Sequence, residues 1–199
     1  MVFLRSVPLT EAGPLLEAGG LYLRVPQLSD FTQWVLLREE SRAFLAPWEP
    51  VWPADDLTRH AFRRRIKRYQ QEMRDDEAVT FFAFRAHDDV LQGGLTLGNI
   101  RRGVTQAASL GYWVGERHAR KGVMSRAVPL ALNFAFDHLR LNRVEAACLP
   151  FNAASIALLE KSGFHREGYA RRYLCINGEW QDHLLYGLVH DDPRPNARS

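Results

Sequence analysis

The densest chemistry in the chain lies in eleven consecutive residues, Arg117-His118-Ala119-Arg120-Lys121-Gly122-Val123-Met124-Ser125-Arg126-Ala127. Cations and a glycine gather there, at the point where the sequence pattern turns helical. The first N–H groups of a helix have no intrahelical partner, and the helix dipole puts positive charge at that end. A glycine lets a ligand approach the backbone closely. Together these features make a cradle for a diphosphate. An exposed basic turn before an ordinary helix fits the same residues, so the flanking elements must decide.

A strand-like run, Ser109 to Val114, feeds the cradle and brings Tyr112, Trp113 and Val114 to its edge. An amphipathic helix from Met124 to Leu139 leaves it, and Pro129 predicts a kink there. Arg143 to Leu149 reads as the next strand. Asn152 caps a helix that ends near Ser162, with Gly163 as a left-handed stop. Phe164–Ile176 and Trp180–Val189 predict a closing hairpin around Asn177-Gly178.

Upstream, Leu21 to Val25 reads as a strand. A helix follows that Ser29 or Asp30 can cap and Pro47 stops. Ala46 to Pro53 is a stiff loop with three prolines, Trp48, Trp52 and Glu49. The next helix carries Leu57, Ala61, Phe62, Ile66, Tyr69 and Met73 at helical spacing. Its other face holds Arg59, Arg63, Arg64, Arg65, Lys67 and Arg68, which suit solvent or an acidic or RNA partner. Three strands within 78–114 predict an antiparallel meander.

The element order predicts mixed α/β architecture: a mostly antiparallel central sheet of about seven strands with flanking helices and one parallel crossover at the cradle. Residues 1–20 read as an N-terminal extension, 21–190 as the single domain and 191–199 as a mobile tail.

The 199 residues, 46% apolar and 25% charged, can bury a real core. A net charge of +3 suits an anionic ligand and is too small to argue for direct DNA binding. No segment has the roughly 18 apolar residues that a membrane span needs. Without a signal-peptide pattern at Met1 to Pro8, a cytoplasmic setting is expected. Cys148 and Cys175, both in apolar runs, are expected as reduced core residues. The scattered histidines give no zinc spacing, so no metal is expected.

The element order and these residues resemble the GNAT acetyltransferase superfamily. Its diphosphate loop pattern, Arg/Gln-x-x-Gly-x-Gly/Ala, is matched by Arg117-x-x-Arg120-x-Gly122, with Arg120 in a glycine's usual place. Either φ stays negative at Arg120 or the loop bends differently. The segments Leu149 to Ser155, Leu158 to Phe164 and Glu167-Gly168 are similar to the ribosomal-protein alanine N-acetyltransferases, RimJ-like and RimL-like. Pro47-Trp48-Glu49-Pro50 and Trp180-x-Asp182-His183 look more like the RimJ branch.

The resemblance implies that the fourth and fifth strands, 107–115 and 143–149, splay apart to admit the pantetheine of acetyl-CoA. It implies cofactor contacts at Tyr112, Trp113, Val114, Arg117, Arg120, Lys121, Gly122, Val123, Met124, Asn152 and Ser155. The RimL-like members place a serine three residues after the motif asparagine; carried over, that is Ser155, the implied acid or thiolate stabiliser, while the tyrosine that other members use falls at Leu159 here. Glu49 is the candidate base or ammonium contact. Trp48, Glu49, Asp182 and His183 are candidates for the acceptor pocket.

The implied activity is acetyl transfer from acetyl-CoA to a protein N-terminal amine, with a ribosomal protein or the ribosome as partner. Transfer to a small-molecule amine is the second reading. A CoA- or RNA-protein-binding domain without catalysis is the third, motivated by Arg120 and the missing tyrosine.

Overall fold

The computed structural model describes residues 13–194. Strands β1 (Leu15–Ala18), β2 (Leu21–Arg24), β3 (Val79–Arg85), β4 (Val90–Arg101), β5 (Ala107–Val114), β6 (Arg143–Cys148), β7 (His165–Ile176) and β8 (Glu179–Val189) form one eight-stranded sheet. Its order is β1-β2-β3-β4-β5-β6-β8-β7, antiparallel throughout except for the parallel β5–β6 pair.

The eighth strand is β1, which lies within the stretch read as an extension. Gly19 and Gly20 both have positive φ and close a two-residue turn onto β2, and Leu16 is buried. The chain before residue 13 lies outside the described residues. The turn at Asn177 and Gly178, with φ of 47° and 86°, joins β7 to β8 as the sequence predicts.

Helices cover both faces. On one, α4 (Val123–Asn133) presents Val123, Ala127, Val128 and Ala131 to Phe81, Leu95, Leu97, Ala108 and Val144, and α5 (Ala153–Lys161) adds Leu159. On the other, α1 (Phe31–Glu40) and α3 (Arg59–Arg74) bring Trp34, Leu37, Phe62 and Ile66 onto Phe82, Phe84 and Leu91. A four-residue helix, α2 (Arg42–Leu45), follows a break at Ser41. That break buries Ser41, whose hydroxyl accepts the Glu116 N–H at 2.9 Å and ties α1 to the loop after β5.

Four expectations change. The helix expected over Met124–Leu139 holds Pro129 inside α4 and then widens into a π turn over Phe134–His138, closed by a Leu139 N–H to Phe134 C=O bond of 3.0 Å. The wider turn sets Phe134 edge-on against Phe81 and buries Phe136. The tail is anchored at its start, because Arg194 stacks 4.9 Å over Phe136 and bonds Asn133; residues 195–199 lie outside the described part. Cys148 is buried, but Cys175 is exposed on the edge strand β7. Arg120 has φ of +57°, the fourth correction. No helix among the described residues is long and apolar enough to cross a membrane.

Candidate active site

Strands β5 and β6 pair over three positions only, Ala107 with Arg143, Ala108 with Val144 and Ser109 with Glu145. Beyond Ser109 they part, while β5 stays paired with β4 and β6 with β8. This is the splay that the resemblance implies. Backbone groups of β5 past Ser109 that point toward β6 are left without a strand partner, so an N–H there is free for a ligand oxygen.

A cavity of about 370 Å³ opens at the parted ends. Tyr112, Trp113 and Val114 from β5, Arg120 to Ser125 without Lys121, and Asn152, Ala154, Ser155 and Leu158 around α5 line it. Phe44, Leu45, Trp48 and Glu49 close it from the α2 side.

The diphosphate cradle is at the α4 start. Gly122 is the N-cap with φ of +72° and has no capping side chain. The first intrahelical bond runs from the Arg126 N–H to Gly122 C=O, so the N–H groups of Val123, Met124 and Ser125 have no helical partner. A Cβ on Gly122 would meet nothing within 4 Å. Glycine is therefore required there by φ, not by crowding. Free N–H groups, the helix dipole and the Arg120 guanidinium together fit a diphosphate.

Arg120 takes the left-handed conformation that a glycine would take, at a cost of roughly 1–2 kcal/mol. Arg120→Gly is therefore expected to leave stability unchanged or raise it by up to about 1 kcal/mol. It should raise the KM for acetyl-CoA about fivefold, because an exposed ion pair is lost. Thermal melts and initial rates on one protein sample check both.

Two predicted cofactor residues lie outside this cavity. Arg117 pairs with Glu40 at 3.1 Å, and Lys121 is not among the lining residues. His118, not singled out from the sequence, does line the cavity and is buried. Burial, followed by the charges of Arg117 and Lys121, holds its imidazole below the usual histidine range.

At the splay, the Tyr112 and Ser155 hydroxyls lie 2.6 Å apart. Asn152 caps α5 by accepting the Ser155 N–H at 3.0 Å, which fixes the serine in the first helical turn. Burial pushes the Tyr112 phenol up to about 12, against a lowering pull from Ser155. Burial also raises the Cys148 thiol nearby, with Ser155 again opposing. A tyrosine hydroxyl is thus present, supplied by β5 and not by the α5 position that Leu159 occupies. The two residues are 43 apart in sequence, and only the strand's facing brings them together.

Glu49 borders the cavity with its carboxylate already engaged. Arg38 donates to both its oxygens at 2.7 and 2.6 Å, and the Trp52 indole donates at 2.7 Å. Arg38 itself stacks between Trp52 and Trp113. The Glu49 C=O accepts the Asn177 N–H, which ties the aromatic loop to the hairpin tip. Trp48 packs 5.8 Å from the exposed ring of Phe151.

Asp182 and His183 do not line this cavity. Asp182 accepts from the Tyr169 hydroxyl at 2.5 Å and from the Arg172 N–H at 2.7 Å. These bonds hold a bulge in β7, where the register jumps between Ala170 and Leu174 and Arg172 has φ of +48°. His183 is buried and sits edge-on to Tyr173. The bulge delivers Tyr173 and Leu174 to a second cavity of about 490 Å³. This cavity is lined mainly from the opposite sheet face, by Ser109, Gly111, Glu145 and Ala147, with Glu167 at its edge. Glu145 is held there by Arg101 and Arg143.

A sheet parted between its parallel strands, with an anion cradle at one end and a hydroxyl pair in the gap, defines a transferase built for a long phosphate-bearing acyl carrier. The sequence matches the family described as Acetyltransferase (GNAT) domain over residues 20–165, and the chain belongs to that family. It is an acetyl-CoA-dependent N-acetyltransferase, close to the ribosomal-protein acetyltransferases.

Among its relatives, Bacillus subtilis YjcK, named a probable N-acetyltransferase, is 37% identical over 89% of this chain and 98% of the relative. The Escherichia coli [ribosomal protein uS5]-alanine N-acetyltransferase is 33% identical, covering 78% of this chain and 80% of the relative. Among solved structures, the ribosomal-protein-S5-alanine acetyltransferase from Vibrio fischeri aligns with a TM-score of 0.84 at 30% identity, over 92% of this chain and all of that one. Mycobacterium smegmatis RimJ in complex with CoA-disulfide aligns at 0.82 and 31% identity, over 89% of this chain and 86% of that one.

Proposed function

We propose that the protein acetylates the α-amine of a protein N-terminus, with a ribosomal protein as the acceptor class, by direct attack of the amine on the thioester. One observation carries this reading: past Ser109 β5 leaves β6, with the Tyr112–Ser155 pair in a cavity on one side of β5 and a second cavity, bordered by Gly111 and Ala147, on the other. The uS5-alanine acetyltransferase relatives support the acceptor class.

Acetyl-CoA supplies an acetyl thioester and a thiolate leaving group. The backbone N–H groups at the α4 start and Arg120 bind its diphosphate end, and Asn152 and Ser155 border its path into the gap. The acceptor enters by the second cavity, past Gly111 and Ala147. An unpaired β5 N–H stabilises the oxyanion. Ser155, backed by Tyr112, donates a hydrogen bond to the sulfur as the C–S bond breaks. The amine's proton leaves to water or a nearby carboxylate. Glu49, with three donors on it, holds the aromatic wall of the first cavity, on the carrier side of the gap.

An α-amine has a pKa of about 7.7–8.0, so a tenth or more is neutral near pH 7 and little base assistance is needed. The reading predicts that kcat/KM rises with pH through about 8, the α-amine range. Because Tyr112 stays protonated up to about 12, it adds no limb, and Tyr112→Phe should lower kcat without moving that profile. A limb that disappears in Tyr112→Phe would contradict this.

In the same reading Asp182 and His183 are positioning residues that shape the acceptor cavity through the β7 bulge. Asp182→Ala should raise the acceptor KM, by up to about 100-fold where the wall moves by about 1 Å. The KM for acetyl-CoA should stay unchanged.

Thiol release with acetyl-CoA and a peptide panel tests the function. Turnover on peptides with a free α-amine, lost when that amine is blocked, is expected. Turnover confined to small amines, or thermal stabilisation by CoA with no turnover on any acceptor, would overturn it.

A further inference from the structure

Helix α3 carries more charge than the whole chain. Six arginines and Lys67 lie within its 16 residues against the single acid Glu72, giving +6, while the chain's net charge is +3. Everything else is therefore net acidic. The cations divide into two groups. Arg65 turns inward to Asp56 and Trp34, Arg64 pairs with Asp55, and Arg68 pairs with Glu72. Arg59, Arg63, Lys67 and Arg74 have no carboxylate partner among the described residues, and all four are exposed.

Those four fall at i, i+4, i+8 and i+15. At about 100° per residue they share one stripe about 80° wide, and at 1.5 Å per residue it runs about 22 Å. The arrangement works against the helix. Arg59 with Arg63, Arg63 with Lys67, and Arg64 with Arg68 are like-charge neighbours at i,i+4. Arg59 opens the helix with no acid in the first turn, against the dipole. Residues that oppose local stability point to a partner that relieves them.

We propose that this stripe of α3 docks the phosphate backbone of RNA. A row of cations along one helix face, with no carboxylate interrupting it, fits a linear polyanion. Guanidinium forks, the majority here, match phosphate better than ammonium groups do. A protein interface would need an apolar centre and a membrane an apolar wedge. None of the large apolar side chains that reach solvent among the described residues lies on α3. The choice of RNA over DNA rests on the ribosomal-protein reading above; the stripe itself does not.

Fluorescence anisotropy of the full chain with a labelled RNA hairpin, titrated between 50 and 200 mM salt, tests the proposal. The R59Q/R63Q/K67Q variant should bind at least tenfold more weakly, with its salt slope reduced by about 2 to 3. The R64Q/R68Q variant, which removes paired cations, should lose less than threefold. The triple variant should melt no lower than wild type, since it loses repulsion, and should keep its rate on a free peptide. RNA affinity unchanged in the triple variant, equal loss in both variants, or tighter wild-type binding to duplex DNA or to polyglutamate would overturn the assignment. RNA binding by the wild type that is lost in the triple variant, in a protein that acetylates no peptide, would leave this surface standing and remove the acceptor reading instead.

Discussion

Replacing Ser155 with alanine is expected to lower kcat about 100-fold, the usual effect of losing a positioned acid. The KM for acetyl-CoA should stay within about twofold. The serine touches the gap, not the diphosphate cradle, so its loss should appear in the chemical step. Folding should change little. Alanine is a good residue for the first turn of α5, and the Asn152 cap bonds the backbone N–H, which survives the substitution. What disappears is the 2.6 Å bond to Tyr112, worth about 1 kcal/mol. A Ser155→Ala/Tyr112→Phe double variant should be no slower than about threefold below the slower single variant, because the two hydroxyls act as one unit. Single-turnover rates at saturating acetyl-CoA separate this outcome from a binding defect. Full turnover in Ser155→Ala would remove the serine from the mechanism.

Arg38→Met should destabilise the protein by about 3 kcal/mol, the scale of breaking a buried ion pair on one side only. The guanidinium is buried between Trp52 and Trp113 and donates twice to Glu49. Without it, the Glu49 carboxylate keeps only the Trp52 indole as partner in a mostly dry setting. Adding Glu49→Gln should recover more than half of the loss, since the unpaired charge goes with it. Denaturant titrations of the wild type, both singles and the double close the cycle. Independent, additive losses would mean that the pair contributes nothing as a pair. The acceptor KM should rise in Arg38→Met as well, because the loop that holds Trp48 is tied through Glu49 to the hairpin tip at Asn177.

The parts of this site that came from short-range chemistry were legible in the sequence. Gly122 as the helix start, Asn152 as a cap and Asn177-Gly178 as a turn each follow from what a few adjacent residues can do with their backbone. The partings came from distance. Tyr112 meets Ser155 only because β5 turns its even-numbered side chains toward α4 and α5, and alternation does not say which face is which. Asp182 and His183 were legible as unusual residues, yet their work is done through a bulge three residues long whose formation depends on the pairing of β7 with β8. β1 was hidden by its length: four residues give too little alternation to distinguish a strand from a loop, and Gly19-Gly20 punctuates either. Arg120 was read as an anomaly in the loop, and it is one in composition alone, since its backbone does what glycine's would.

In the proposed reaction the chemistry occurs in the gap between β5 and β6, with the acyl carrier entering on one side and the acceptor on the other. A crystal structure of the protein with CoA and an acceptor peptide tests it most directly. The CoA sulfur is expected within hydrogen-bonding reach of Ser155 or Tyr112, and the peptide's amino end in the cavity lined by Gly111, Glu145, Ala147 and Tyr173. A sulfur remote from both hydroxyls, or a peptide seated away from the β7 bulge, would contradict it.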